Sequence, residues 1–217
     1  MTPWFCTRCN EEQVAFGALP QVLLCHTCRE ADAARTRFTE AGAGVPARYR
    51  NLTREDWCAR FRSRWPDELA HWSGDPQWVA IWGPTGTGKT GLATVLLAEH
   101  LRTGRRGHWI SGPELSRRIQ RDFANTEDVI VPLLVTPLLV LDEPLTGAAA
   151  DWYLERLLLI TRTRDEECLP TIVTSQLLPE LIATPSALAP PPLLSRWLSG
   201  LRIEAGGEDI RLQEALG

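Results

Sequence analysis

Residues 83–90 read Gly-Pro-Thr-Gly-Thr-Gly-Lys-Thr, and Lys89 within them is the one lysine of the chain; the other 22 of its 23 basic residues are arginine. In a G-x-x-x-x-G-K-[ST] pattern the glycines let the backbone wrap closely round an anion with its N–H groups turned inward. The helix that follows presents its positive end. Gly83, Pro84, Thr85, Gly86, Thr87, Gly88, Lys89, Thr90 and Gly91 are therefore candidate ligands of a nucleoside triphosphate, ATP. Lys89 would reach the β- and γ-phosphates and the Thr90 hydroxyl would serve Mg2+.

A second constellation complements the first. The run "LLVLDEP" ends an apolar segment in Asp142 and Glu143. A carboxylate there holds Mg2+ and a second one orients and deprotonates an attacking water, which gives Asp142 the metal role and Glu143 the base role. The next apolar run, "PTIVTSQ", ends in Thr174, Ser175 and Gln176, candidates to face the γ-phosphate if this strand lies between the loop strand and the carboxylate strand.

Cys6, Cys9, Cys25 and Cys28 form C-x2-C-x15-C-x2-C. Each knuckle brings two thiolates to adjacent tetrahedral corners, so the pattern reads as a closed, structural Zn2+ site. Cys58 and Cys168 lack close partners in sequence and read as buried packing residues. "PELSRRIQRDF" puts Arg117, Arg118 and Arg121 on adjoining parts of one helix surface, a candidate contact for nucleic-acid phosphate balanced by Glu114 and Asp122. Trp82 and Tyr49 are candidates to pack near a nucleotide base.

These residues need a scaffold. The 217-residue chain suffices for one full domain and a small appendage, and its net charge of −4 leaves nucleic-acid attraction to local patches. From Gln77 short apolar runs alternate with amphipathic segments, the signature of βα units and a parallel sheet. Strands are expected at 78–82, 107–111, 137–142, 171–175 and 201–205, with helices at 89–102, 113–123, 149–165, 178–183 and 193–199, and a polar helix at 29–41. The apolar stretch 129–141, interrupted by Pro132 and Pro137, reads as loop plus buried strand and is too short to span a bilayer. The N-terminus lacks a basic start followed by an apolar core, so no signal peptide is expected and the protein reads as cytoplasmic.

With those motifs in place, the chain resembles the AAA+ ATPases of the bacterial DnaC/DnaI helicase-loader and IstB group over roughly residues 45–213. "VPARYRNLTREDW" looks like the group's lead-in, followed by "GPTGTGKT" and "LLVLDEP"; "TIVTSQ" stands where the group has Thr-Ser-Asn, so Gln176 replaces an asparagine, and Asp-Glu replaces the more frequent Asp-Asp. "LLSRWLSG" resembles the arginine-finger segment, which implies that Arg196 reaches a neighbouring subunit's ATP. "GGEDIRL" resembles the closing segment, which places Arg211 near phosphate. The resemblance implies an α/β P-loop NTPase at 42–217, an AAA+ core with a five-stranded parallel sheet and no C-terminal lid, preceded by a zinc-binding module and linker at 1–41. It also implies a homo-oligomer or helicase-bound assembly that loads a replicative DNA helicase onto single-stranded DNA. An IstB-type transposition ATPase on duplex DNA, or an ATP-gated scaffold with little hydrolysis, are the alternatives.

Overall fold

The structure, a computed structural model, describes residues 2–6, 9–15, 25–28, 43–121, 125–146, 150–176 and 191–206. The expected helices at 29–41 and 178–183 and the residue Arg211 lie outside the described residues.

Near the N-terminus, β1 (Thr2–Phe5) and β2 (Glu12–Ala15) form an antiparallel hairpin around the first cysteine knuckle. After a 3-10 turn at Ala47–Tyr49 comes α1 (Arg54–Phe61), started by a capping box in which Thr53 and Asp56 satisfy each other's backbone N–H groups. The main domain then runs β3 (Trp78–Trp82), α2 (Lys89–Arg102), β4 (Gly107–Ser111), α3 (Gly112–Arg121), α4 (Thr126–Val135), β5 (Leu138–Asp142), α5 (Asp151–Glu166), β6 (Thr171–Ser175), α6 (Pro191–Trp197) and β7 (Leu201–Glu204).

All five strands of this domain are parallel, in the order β4-β5-β6-β3-β7. Such a sheet must be covered on both faces, which is why β3 and β5 are apolar almost throughout. Alternation along each strand feeds two cores. Val79, Ile81, Leu138 and Val140 pack under α1 and α2, while Leu139, Leu141 and Val173 pack under α3, α4, α5 and α6. The chain leaves β3 toward β4 but leaves β6 toward β7 on the other flank. That reversal opens a crevice at the carboxyl ends of the strands, where open α/β sheets bind ligands.

One element departs from expectation. Residues 126–135 are helical, with Pro132 inside the helix, where the sequence reads as loop. Pro132 has no N–H to donate to the ladder, but Ile130 and Leu133 are buried against α5, and that burial outweighs the missing bond. No helix among the described residues is long and apolar enough to cross a membrane.

Candidate nucleotide site and cysteine cluster

The 83–90 loop joins the end of β3 to the first turn of α2. Gly83 has φ 144°, and a Cβ there would lie 2.2 Å from the Ala205 carbonyl, so only glycine fits this crossing with the end of β7. Lys89, 4% exposed, turns back over the loop and donates from Nζ to the Gly83 carbonyl at 2.8 Å and the Pro84 carbonyl at 2.7 Å. Thr87 Oγ1 donates to Pro84 O, which tightens the same turn.

Asp142, at the tip of β5, is buried and accepts hydrogen bonds from Thr90 Oγ1 at 2.9 Å and Thr174 Oγ1 at 2.8 Å. Burial pushes its carboxyl above the ordinary carboxylate value, while the two hydroxyls pull the other way. A cation beside it would favour the charged form. Thr90 and Asp142 therefore share one point, as a Mg2+ held between loop and strand requires. Glu143 adopts φ 49°, which turns its side chain out of the strand line. Its Oε2 accepts from Gln176 Nε2 at 2.8 Å and its N–H donates to Thr174 Oγ1. Gln176 Oε1 accepts from Thr85 Oγ1 at 3.2 Å. Of the three candidates on the β6 tip, Gln176 thus bridges the loop and Glu143, and the buried Thr174 hydrogen-bonds both Asp142 and the Glu143 backbone.

The loop from Thr85 to Thr90, apart from Thr87, joins Asp142, Glu143 and Gln176 in lining a cleft of about 320 Å³ whose remaining wall comes from the N-terminal side: Arg48, Tyr49, Arg60 and Phe61. The α1 helix is seated directly on the loop. Trp57 Nε1 donates to the Gly88 carbonyl at 3.0 Å, and a Cβ on Gly88 (φ 91°) would strike the Phe61 ring at 2.7 Å. Arg54 pairs with Glu99 of α2 and fixes the two helices together. Tyr49 lines this cleft, and Trp82, with Trp57, Trp65 and Thr87 of the loop, lines a second cavity of about 580 Å³ next to the end of β7.

The four module cysteines converge. Their sulfurs all lie within 4.8 Å of one another, and the Cys9 and Cys25 sulfurs are 3.7 Å apart. A metal with bonds of ~2.3 Å to tetrahedral sulfurs needs S···S edges of ~3.8 Å, whereas a disulfide needs ~2.0 Å. The cluster fits a tetrahedral thiolate-bound metal. The two other cysteines depart from expectation: Cys58 is only partly buried against the core, and Cys168 is exposed in the left-handed turn after α5, with φ 51°.

Arg117 and Arg118 both bind Glu114 on α3, at 2.8 and 2.7 Å, and they hold its carboxyl down at about 2; Arg121 is exposed at the helix end. Arg196 on α6 donates from Nε to Asp165 at 3.0 Å, and Asp165 also accepts from the indole of Trp78 at the start of β3. It therefore stands about 16 Å of strand away from its own loop.

No known family model matches this sequence, and neither does any curated protein. Solved structures do match. DnaI shares the fold with TM-score 0.61 at 19% identity over 81% of this chain and 100% of that one. The DnaC helicase loader gives 0.58 at 20% identity, over 73% and 99%. The replication initiator DnaA bound to AMPPCP and single-stranded DNA gives 0.61 at 18%, over 79% and 55%. The chain shares the fold of these proteins, a five-stranded parallel sheet with flanking helices. The chain spans about half the length of the replication initiators it matches, 44%, 55% and 48% of three of them. In this fold the loop, Asp142 and Gln176 stand at the tips of β3, β5 and β6, three neighbouring strands.

Proposed function

We propose that the chain is an ATP-dependent loader of a replicative DNA helicase. The observation that carries this reading is the joining of the 83–90 loop, Asp142, Glu143 and Gln176 at one cleft, in a fold that DnaI and the DnaC helicase loader share over nearly their whole lengths. In this reading the phosphates of ATP lie in the loop and Lys89 exchanges the Gly83 and Pro84 carbonyls for β- and γ-phosphate oxygens. Thr90 and Asp142 would hold Mg2+, whose charge would offset that of the phosphates. Glu143 takes the proton of the attacking water as the bond from the γ-phosphorus to its bridging oxygen breaks, and Gln176 fixes the geometry of that carboxylate.

Arg196 acts in trans. Its distance from its own loop is supplied by the length of β3, and Asp165 aims it, so the working form is an oligomer with ATP at subunit interfaces. Arg211 is assigned to phosphate. The cysteine module at 1–41 holds Zn2+ and docks the helicase, and residues 42–217 form the ATPase of a cytoplasmic protein.

The test uses the full chain. Immobilised protein with ATP is expected to retain a replicative helicase, and Cys9→Ser is expected to lose both its zinc, by elemental analysis, and that capture. Single-stranded DNA is expected to accelerate ATP hydrolysis more than duplex DNA does, and Arg196→Ala to bind ATP but not respond. Absence of helicase capture would sink the loader, and greater stimulation by duplex DNA would favour transposition. No hydrolysis under any condition would leave a scaffold.

The α3 arginines carry a second expected result. Glu114 occupies Arg117 and Arg118, so phosphate must compete with a carboxylate on the same helix. Glu114→Gln is expected to tighten single-stranded DNA binding several-fold and steepen its salt dependence, because the freed guanidinium groups release more counterions. Unchanged affinity and slope in fluorescence anisotropy would remove α3 from the DNA path.

A further inference from the structure

Two arginines in the wall of the nucleotide cleft are not accounted for by the loop, the carboxylates or the β6 tip. Arg48 belongs to the 3-10 turn before α1, and Arg60 stands in the last turn of α1. Both line the same cleft as Gly88, Lys89 and Thr90. Their backbone is not free to swing away. Trp57 and Phe61 flank Arg60 on α1 and are seated on Gly88 itself, and Tyr49, beside Arg48, is 5% exposed.

The charge of the wall gives them a task. Without them the cleft offers one cation, Lys89, against Asp142 and Glu143, and is a poor host for an anion. With them it becomes net basic. Several arginines of the chain are committed to a carboxylate, and Arg48 is not. Arg54, Arg117, Arg118, Arg162 and Arg196 are each paired with a carboxylate. Arg48 forms no ion pair among the described residues and lies instead over the Tyr49 ring, 4.6 Å from its centroid. A ring face orients a guanidinium while leaving its in-plane N–H donors for another acceptor, and that planar fork matches phosphate oxygens. The Arg60 guanidinium lies 5.9 Å from the centroid of the Phe61 ring.

We infer that Arg48 and Arg60 bind the phosphate chain of the nucleotide within their own subunit, from the α1 side of the cleft. This rests on the nucleotide reading above and adds two ligands that lie outside the loop motif. The arrangement makes α1 part of the site: any partner that shifts α1 on α2 changes the grip on the phosphates.

The experiment measures Mg2+-dependent binding of ATP and of inorganic tripolyphosphate to the full chain, by displacement of a fluorescent ATP analogue. It compares wild type with Arg48→Gln, Arg60→Gln and the double variant, each checked for an unchanged melting temperature. Loss of one charge-assisted contact is expected to weaken both ATP and tripolyphosphate about tenfold per variant, and the double variant further. Arg60→Lys is expected to recover part of the loss. Unchanged ATP affinity would overturn the inference. So would a loss for ATP alone with tripolyphosphate unaffected, since that result assigns the arginines to the base or sugar. A wild-type chain that binds no ATP, or a Lys89→Ala chain that binds it normally, would overturn the nucleotide reading and this inference with it.

Discussion

Lys89→Arg is expected to give a folded protein that has lost ATP turnover by a hundredfold or more, about the effect of removing one preorganised charge from a transition state. The substitution keeps the charge, so the loss would come from shape. Lys89 is 4% exposed and its ammonium fits between two carbonyls of its own loop at 2.7 and 2.8 Å. An ammonium is a compact point charge on a flexible stem. A guanidinium is wide and flat, and its fork cannot enter a turn closed by Thr87 on one side and Gly83 on the other. Elsewhere this chain uses arginine for every cationic task, including the pairs with Glu99, Glu114 and Asp165. The persistence of a single lysine among 23 basic residues is then a statement about the space inside the loop. Lys89→Ala is the companion variant and is expected to lose nucleotide binding as well. Both are expected to melt within about 3 °C of wild type, because Lys89 lines the open cleft and water entering there can replace its ammonium on the freed carbonyls. ATP hydrolysis at the wild-type rate by Lys89→Arg would refute the assignment.

What could be read in advance was what is local in the chain. The strands β3, β4 and β6 fall where the apolar runs place them, because strands buried on both faces appear as short Val/Ile/Leu/Trp segments between polar or Gly/Pro boundaries. The loop and the Asp142–Glu143 pair were legible for the same reason: each is one contiguous motif whose chemistry needs those residue types side by side. Relations set by tertiary distance were not. Trp57 meets Gly88 from 31 residues away, a contact that no nearness in sequence announces. Nothing in the sequence singles out Arg48 and Arg60, which reach the cleft because α1 sits on the loop. The helix α4 was hidden by Pro132, whose cost in a helix is local and readable, whereas the packing that repays it is not.

Part of that repayment comes from Arg164, and its replacement is expected to be among the most destabilising single changes in the chain. Arg164 is completely buried, yet every hydrogen-bond partner it has is neutral. Nη1 donates to the carbonyls of Leu133 and Thr136 at the C-terminal end of α4, Nη2 to Pro170 O, and Nε to Thr171 Oγ1. A helix end leaves its last carbonyls unpaired and carries partial negative charge, so the guanidinium caps α4 and α4 in turn solvates the cation. Burial draws its pKa down to about 9, which still leaves it protonated at neutral pH. The other arm ties α5 to the start of β6, which pairs with β5 from Leu139–Thr171 onward. The clamp therefore fixes, from the far end of both strands, the register that brings Thr174 to Asp142. Arg164→Leu would leave the Leu133 and Thr136 carbonyls without this donor, while Pro170 O keeps Leu139 N. At about 1–3 kcal/mol for each stranded buried group, plus the imperfect fit of a shorter side chain, the loss is about 4 kcal/mol. For a domain of this size that corresponds to a fall of roughly 10 °C in melting temperature. Arg164→Lys, with the charge but not the fork, is expected to lie in between. Calorimetric melting within about 2 °C of wild type for Arg164→Leu would show that α4 and the β5–β6 register hold without the clamp.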